Sequence, residues 1–111
     1  MSAEPRMTMQ VQAVLRTLLD DPATPCYGLR ICAETDLPSG TVYPILARLE
    51  LLGWVESAWE DPGAQVSEGR PRRRYYTITP DGIERAREAI ARTYRARRRP
   101  LPGWLSRPGV A

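Results

Sequence analysis

The chain has 111 residues, which suits one domain with a modest core, and its net charge is +3. It contains no histidine, and no apolar run approaches the roughly 18 residues that would span a bilayer. The N-terminus also lacks the pattern of a signal peptide, so we expect a soluble cytoplasmic protein.

Residue types that support catalysis or metal binding are scarce. The sequence has no phosphate-cradling glycine loop and no G-x-S-x-G motif, so we expect no enzymatic activity, no catalytic residue and no cofactor. Five residues separate Cys26 from Cys32, which is not a metal-binding spacing. We predict that both cysteines are small buried side chains; a redox sensor is the alternative.

Charge is divided unevenly along the chain. Residues 1–60 hold four arginines and eight acidic residues, a net charge of −4, whereas residues 61–111 hold twelve arginines and five acidic residues, a net charge of +7. An acidic first half joined to a basic second half indicates one face that binds an anionic surface.

Two helices are predicted in the first forty residues. Thr8 is a candidate N-cap for the segment MQVQAVLRTLLDD, and Pro22 and Pro25 end that helix. The segment CYGLRICAETDL fits a second helix of about two turns. The apolar stripe of the first helix consists of Val11, Val14, Leu15 and Leu18.

The segment SGTVYPILARLELLGW, residues 39–54, predicts a third helix that Gly53 stops. Its stripe is Val42, Ile45, Leu46, Leu49 and Leu52. Pro44 lacks an N–H and costs nothing only in a first turn, so we predict a helix that begins near Thr41 as N-cap, with Ser39 and Gly40 leading into it.

The face opposite this stripe carries short side chains near its start, and Tyr43 lies at its boundary. Such a face suits a helix that enters the major groove of DNA, because bulky side chains would hold the backbone away from the base edges. An ordinary surface helix is the alternative. The face consists of Gly40, Thr41, Pro44, Ala47, Arg48 and Leu51.

After the third helix, the residue pattern changes to an alternation with a period of two, which is typical of β-strands. The segments WVESAWE (54–60) and RYYTIT (74–79) predict two strands of a hairpin, joined by a long loop. Four arginines crowd the end of that loop, which favours a polyanionic partner over a merely solvated basic loop. They are Arg70, Arg72, Arg73 and Arg74.

Thr79 and Pro80 predict the start of a last helix, which extends to about Arg98. Prolines then prevent its continuation, so residues 99–111 form a Pro/Gly-rich tail. The Trp104-Leu105 pair in this tail either docks onto a partner or remains loose. The thin stripe of the last helix is Ile83, Ala86, Ile90 and Tyr94.

The predicted fold is mainly α with a small two-stranded antiparallel β-hairpin, which are the parts of a winged helix-turn-helix. Residues 1–79 would form the winged helix-turn-helix DNA-binding domain, and residues 80–98 a C-terminal dimerisation helix.

Three stretches resemble the PadR-type transcriptional regulators, and the resemblance covers about residues 9–85. They are CYGLRI, SGTVYPILARLELLGWVES and GRPRRRYYTITPDG. The order Tyr27-Gly28 and the tryptophan-containing tail depart from the family pattern. The resemblance implies a winged helix that binds operator DNA as a dimer, mostly in repressors, and some members release DNA when they bind small molecules such as phenolic compounds or drugs.

We therefore expect a homodimeric repressor that binds a palindromic double-stranded operator with half-sites about one helical turn apart. The recognition helix would contribute Ser39, Gly40, Thr41, Tyr43, Pro44 and Arg48, and the wing Arg70, Arg72, Arg73 and Arg74. We expect the first and last helices to pair two subunits, because a lone domain cannot cover both stripes; the interface residues are Val11, Leu15, Leu18, Ile83, Ala86, Ile90 and Tyr94. A small hydrophobic effector, an activator role and a winged helix that only binds proteins remain open alternatives.

Overall fold

Four α-helices, three short strands and a 3₁₀ turn make up the fold of this computed structural model, which describes residues 4–63 and 69–106. The helices are α1 (Met9–Asp20), α2 (Gly28–Thr35), α3 (Ser39–Leu51) and α4 (Pro80–Ala96). The strands are β1 (Cys26–Tyr27), β2 (Val55–Trp59) and β3 (Arg74–Ile78), and the 3₁₀ turn is Gly103–Ser106. Parts of the predicted wing loop and tail, residues 64–68 and 107–111, lie outside the described ranges.

Three predicted signals at helix ends, Thr8, Thr79 and Gly53, are confirmed. Thr8 Oγ1 accepts from the Val11 N–H at 3.2 Å, and Thr79 Oγ1 accepts from the Gly82 N–H at 2.9 Å. Gly53 ends α3 in the left-handed region, at φ 77°, and donates to the Glu50 carbonyl at 3.0 Å. The next N–H, that of Trp54, donates to the carbonyl of Leu49 at 3.0 Å, so α3 ends in a Schellman motif.

The sheet has three strands, so the prediction of a two-stranded hairpin is wrong in number. The strand order is β1-β3-β2, and both pairings are antiparallel. Cys26 pairs with Tyr76 and Tyr27 with Tyr75, which makes β1 a two-residue edge strand where the sequence predicts helix. A strand this short exists only because β3 supplies its hydrogen bonds, and no local periodicity reveals it.

The start of α3 also differs from the prediction. The helix begins at Ser39, and its N-cap is Pro38, whose carbonyl accepts from the N–H groups of Thr41 at 2.9 Å and Val42 at 3.1 Å. Thr41 is therefore inside the helix and is not its cap. Pro44 consequently lies beyond the first turn, where a residue with an N–H would donate to the Gly40 carbonyl.

The core is formed by α1, α2, α3 and α4 against one face of the sheet, and it absorbs the stripes that we expected to pair two subunits. Five of the seven predicted interface residues are buried within the chain itself: Val11, Leu15, Leu18, Ala86 and Ile90. The other two, Ile83 and Tyr94, are partly buried against that core. The premise that a lone domain leaves these stripes uncovered is therefore wrong.

The tail folds back onto its own chain. Leu105 is 5 % exposed in the core, and Trp104 packs beside it under the Arg16 guanidinium, 5.3 Å from the ring centre. The 3₁₀ turn contacts α1, so the described part of the tail docks on its own chain, which neither expected alternative included. Over residues 4–63 and 69–106, no helix is both long and apolar enough to cross a membrane.

Candidate nucleic-acid interface

Helix α3 presents an uninterrupted exposed face to solvent. Val42, Leu46 and Leu49 are fully buried, which fixes the rotation of the helix. The opposite face is exposed along the whole helix and carries Ser39, Gly40, Pro44, Ala47, Arg48 and Leu51, with Thr41 half-buried. Because its first two turns carry no long side chain besides Tyr43, this half of the face can approach another surface closely.

Tyr43 lies at the edge of this face, as the helical wheel indicates. Its side chain is 39 % exposed, and its ring lies directly on Gly28 at the start of α2, where an added Cβ would overlap the ring. Partial burial raises the pKa of the Tyr43 hydroxyl, so it remains protonated and is a hydrogen-bond donor at neutral pH. Gly28 is thus the residue that lets α2 and α3 meet at this point.

Glu60 closes the base of the wing. Its carboxylate accepts from both terminal nitrogens of Arg70, at 2.6 and 3.1 Å, and from the Arg73 N–H at 2.8 Å. The side chains of Glu60 and Arg70 are only 7 % and 19 % exposed. The hydrogen bonds from Arg70 hold the pKa of the Glu60 carboxyl below its ordinary value. The charge of Arg70 is therefore neutralised within the wing.

Arg74 is also bound within the protein. Its Nε donates to Ser57 Oγ at 3.0 Å, and its guanidinium lies 3.6 Å from the carboxylate of Glu50. The Ser57 hydroxyl donates to the same carboxylate at 2.5 Å. These contacts join the end of α3 to both strands of the hairpin.

Arg72 and Arg73 differ from the other two wing arginines in having no carboxylate partner for their side chains among the described residues. Arg73 lies 3.9 Å from the centre of the Tyr27 ring, and Arg72 lies 5.6 Å from the centre of the Trp59 ring, which Arg74 also contacts at 5.3 Å. Within the described ranges neither forms an ion pair with a carboxylate, although Arg72 Nε donates to the Glu60 carbonyl at 3.1 Å. An aromatic face orients a guanidinium without cancelling its charge.

A continuous row of contacts joins the wing to α3. Arg73 lies on Tyr27, whose ring also meets Tyr75 edge-on at 5.7 Å. Tyr27 is followed in the chain by Gly28, and the ring of Tyr43 packs against Gly28. The wing and α3 therefore share one surface, which bears cations and hydroxyl groups.

Sequence reasoning missed Tyr27, Trp59 and Glu60 as parts of this surface. The register of the hairpin holds a usable signal for two of them, because Trp59 pairs with Arg74 and Glu60 faces Arg73 across the hairpin. The role of Tyr27 depends on β1, and the sequence gives no indication of that strand.

A metal site and a reactive cysteine both have little support in the described part of the chain. No group of three or more His, Cys, Asp or Glu residues there is arranged to hold a metal ion. Cys26 is buried and Cys32 half-buried, and both are free thiols. Burial raises the pKa of the Cys26 thiol, which disfavours the reactive thiolate.

Comparison with known proteins agrees with this geometry. Residues 17–88 match the model of the transcriptional regulator PadR-like family. No relative among curated proteins matches the chain.

Three solved structures with similar folds come from bacterial regulators. A PadR family transcription regulator from Clostridium difficile R20291 is 25 % identical, with a TM-score of 0.59 over 79 % of this chain and 90 % of that one. A transcriptional regulator from Clostridium thermocellum is 26 % identical, with a TM-score of 0.59 over 81 % and 85 %. A PadR family transcriptional regulator from Eggerthella lenta is 25 % identical, with a TM-score of 0.59 over 81 % and 80 %.

The family model spans the winged-helix core, from α1 into α4, and includes both α3 and the wing arginines. This chain, with its exposed α3 face and aromatic-backed wing, belongs to the PadR-like family of transcriptional regulators.

Proposed function

We propose that the protein is a homodimeric repressor that binds a specific operator sequence. The observation that carries this proposal is the continuous surface from the exposed half of α3, through Tyr43 and Tyr27, to Arg73. A surface of this kind matches what duplex DNA requires, namely a slim helix face for a major groove and cations for the adjacent backbone.

Each part of the surface has a proposed role. Gly40 and Pro44 allow the backbone of α3 to approach base edges, and the hydroxyls of Thr41 and Tyr43 read or position bases. Arg72 and Arg73 supply affinity that is independent of sequence, through phosphates or a narrow minor groove. Arg70 and Arg74 shape the wing through their ion pairs with Glu60 and Glu50.

The dimer in this proposal cannot rest on the buried stripes of α1 and α4. Large apolar side chains remain exposed beside those helices: Met9 is 83 % exposed at the start of α1, and Leu101 is 51 % exposed after α4. Pairing through these flanks, with α4 as the dimerisation helix, would cover them and place two copies of α3 on one face of DNA.

A small aromatic effector would enter the groove between α1, α2, α4 and the tail. This groove has a volume of about 480 Å³, within the range of small-molecule sites, and Tyr94 and Trp104 line it together with polar and charged side chains such as Arg16 and Glu34. Aromatic compounds that release the DNA should change tryptophan fluorescence in the wild type and not in Trp104→Phe.

Binding-site selection from random duplexes tests the function. Wild-type protein should select a palindromic sequence, and the Thr41→Ala and Tyr43→Ala variants should lose preference at defined positions. Selection of no consensus by the wild type would favour the alternative, a winged helix that binds only proteins. A reporter gene placed behind the selected site then distinguishes repression from activation.

The wing is tested separately by salt titration. Replacing both Arg72 and Arg73 with Ala should reduce the slope of log affinity against log salt by about 0.9 per lost phosphate contact. An unchanged slope would remove the wing from the proposal.

A further inference from the structure

A groove runs along the side of α3 that faces away from the wing. It has a volume of about 460 Å³ and lies between α3 and the N-terminal segment, residues 4–8. Its floor is apolar, and its two cationic side chains are Arg6 and Arg48; no acidic residue of the described chain lines it. The remaining lining residues are Pro5, Thr8, Val11, Pro44 and Ile45.

Neither Arg6 nor Arg48 has an ion pair, a hydrogen bond from its side chain or an aromatic partner within residues 4–63 and 69–106. Both are exposed. Arg92, by contrast, forms an ion pair with Glu4 of the same N-terminal segment at 2.8 Å. Both cations line the same apolar groove, so an anionic group bound there would be attracted by both.

The N-terminal segment holds Arg6 in place. Pro5 is buried, and Met7 packs against the core. Glu4 is tied to α4 through Arg92, and Thr8 caps α1. Arg6 is therefore presented from an anchored segment, which lowers the entropy that a contact through its side chain would cost.

Rotation around α3 shows which side this is. Arg48 comes five positions after Tyr43, which places the two side chains about 140° apart around the helix. Tyr43 adjoins α2, Tyr27 and the wing, so Arg48 lies on the other flank of the exposed face. A helix in the major groove has a phosphate backbone on each side, and the wing accounts for only one of them.

We infer that Arg6 and Arg48 form a second phosphate-binding site, so that α3 is held between two DNA strands, by the wing on one flank and by this pair on the other. The inference rests on the proposed function, because it assigns a further contact within the same DNA complex. It adds the N-terminal segment to the DNA-binding surface.

Salt titration of binding to a fluorescent duplex tests the site. Arg6→Ala should reduce the slope of log affinity against log salt by about 0.9, so its deficit relative to wild type should shrink about 3.5-fold between 50 and 200 mM salt. The double variant with Arg48→Ala should lose about twice that slope. Arg6→Lys should retain the wild-type slope because it keeps the charge.

Arg99→Ala is the matched control, since it removes one exposed arginine after the end of α4, 5.8 Å from the centre of the Tyr94 ring and outside the proposed DNA-binding surface. Its slope should equal that of the wild type. A wild-type slope in Arg6→Ala, alongside a reduced slope in Arg73→Ala, would overturn the second site and leave the proposed function intact. Absence of salt-dependent binding by the wild type would instead overturn the proposed function.

Phosphate-ethylation interference on a selected operator tests the strand assignment. Arg6→Ala and Arg73→Ala should each lose interference at phosphates on a different strand of the same half-site. Loss at the same phosphates by both variants would contradict the placement of α3 between two strands.

Discussion

Two helical glycines have opposite surroundings, which makes them a sharp test of packing at the residue scale. A Cβ on Gly82 would overlap the Trp54 backbone, whereas nothing lies within 4 Å of one on Gly40. We expect Gly82→Ala to lower the free energy of unfolding by about 1–3 kcal/mol, because the overlapped atoms are backbone and cannot rotate away. Gly40→Ala should raise it by up to about 1 kcal/mol through helix propensity.

Urea denaturation of both variants measures the difference. If Gly82→Ala raised the free energy of unfolding as much as Gly40→Ala, the packing of α4 against Trp54 would be looser than the structure indicates. DNA affinity provides a second readout, since the methyl group of Gly40→Ala would lie on the face proposed to approach base edges and should weaken binding while stability rises.

Glu60 makes the wing sensitive to acid. Its pKa is lowered in the folded state by Arg70, so its ionised form stabilises the fold at any pH above the ordinary glutamate value of 4.5. This contribution is lost as the pH falls through the folded-state pKa, which lies below that value. We expect unfolding free energy measured from pH 7 down to pH 3 to decline less steeply in Glu60→Gln than in the wild type. Parallel pH profiles would contradict the role of Glu60.

At the scale of elements, α3 tolerates a proline where a regular helix would have a hydrogen bond. Pro44 has no N–H to donate to the carbonyl of the exposed Gly40, and a proline ring inside a helix crowds the carbonyl four residues earlier. Pro44→Ala should therefore raise the free energy of unfolding by up to about 3 kcal/mol, measured by thermal and urea denaturation. Unchanged stability would mean that the first turns of α3 already absorb the ring without cost.

The same helix shows what sequence can and cannot predict about elements. Thr8, Thr79 and Gly53 were predictable because each acts on its own neighbours along the chain. Pro38 was not, because its extended backbone precedes α3 without a side-chain hydrogen bond. Strand β1 was not predictable either, because its residues depend on partners far along the chain, as in the pair Cys26 and Tyr76, which lie fifty positions apart.

The wing illustrates the same limit for the candidate site. Sequence predicts a cluster of four arginines and nothing about their partners. The structure divides them, because Arg70 and Arg74 form ion pairs with Glu60 and Glu50, while the side chains of Arg72 and Arg73 contact aromatic rings without a carboxylate partner in the described residues. Such a division depends on the hairpin register and on β1, which are properties of the folded chain.

At the scale of the whole molecule, a single chain buries the apolar stripes of α1 and α4 and packs its own tail against them. A dimer is therefore not needed to complete the hydrophobic core. Dimerisation in the proposal therefore serves DNA recognition, because two copies of α3 related by a two-fold axis read two half-sites together. Beside α1 and α4, the exposed side chains of Met9 and Leu101 offer apolar surface for that contact.

The spacing of the half-sites tests this two-fold arrangement directly. Inserting about five base pairs between the half-sites of a selected operator should rotate one half-site to the opposite face of the duplex and abolish cooperative binding. Inserting about ten should return it to the same face and restore part of the affinity, measured by fluorescence anisotropy. The Met9→Glu and Leu101→Glu variants should bind the operators of every spacing with the same weak affinity, because each protein copy would then bind its half-site alone. Wild-type affinity that ignores the five-base-pair insertion would show that single chains bind DNA independently, and the homodimer would have to be abandoned.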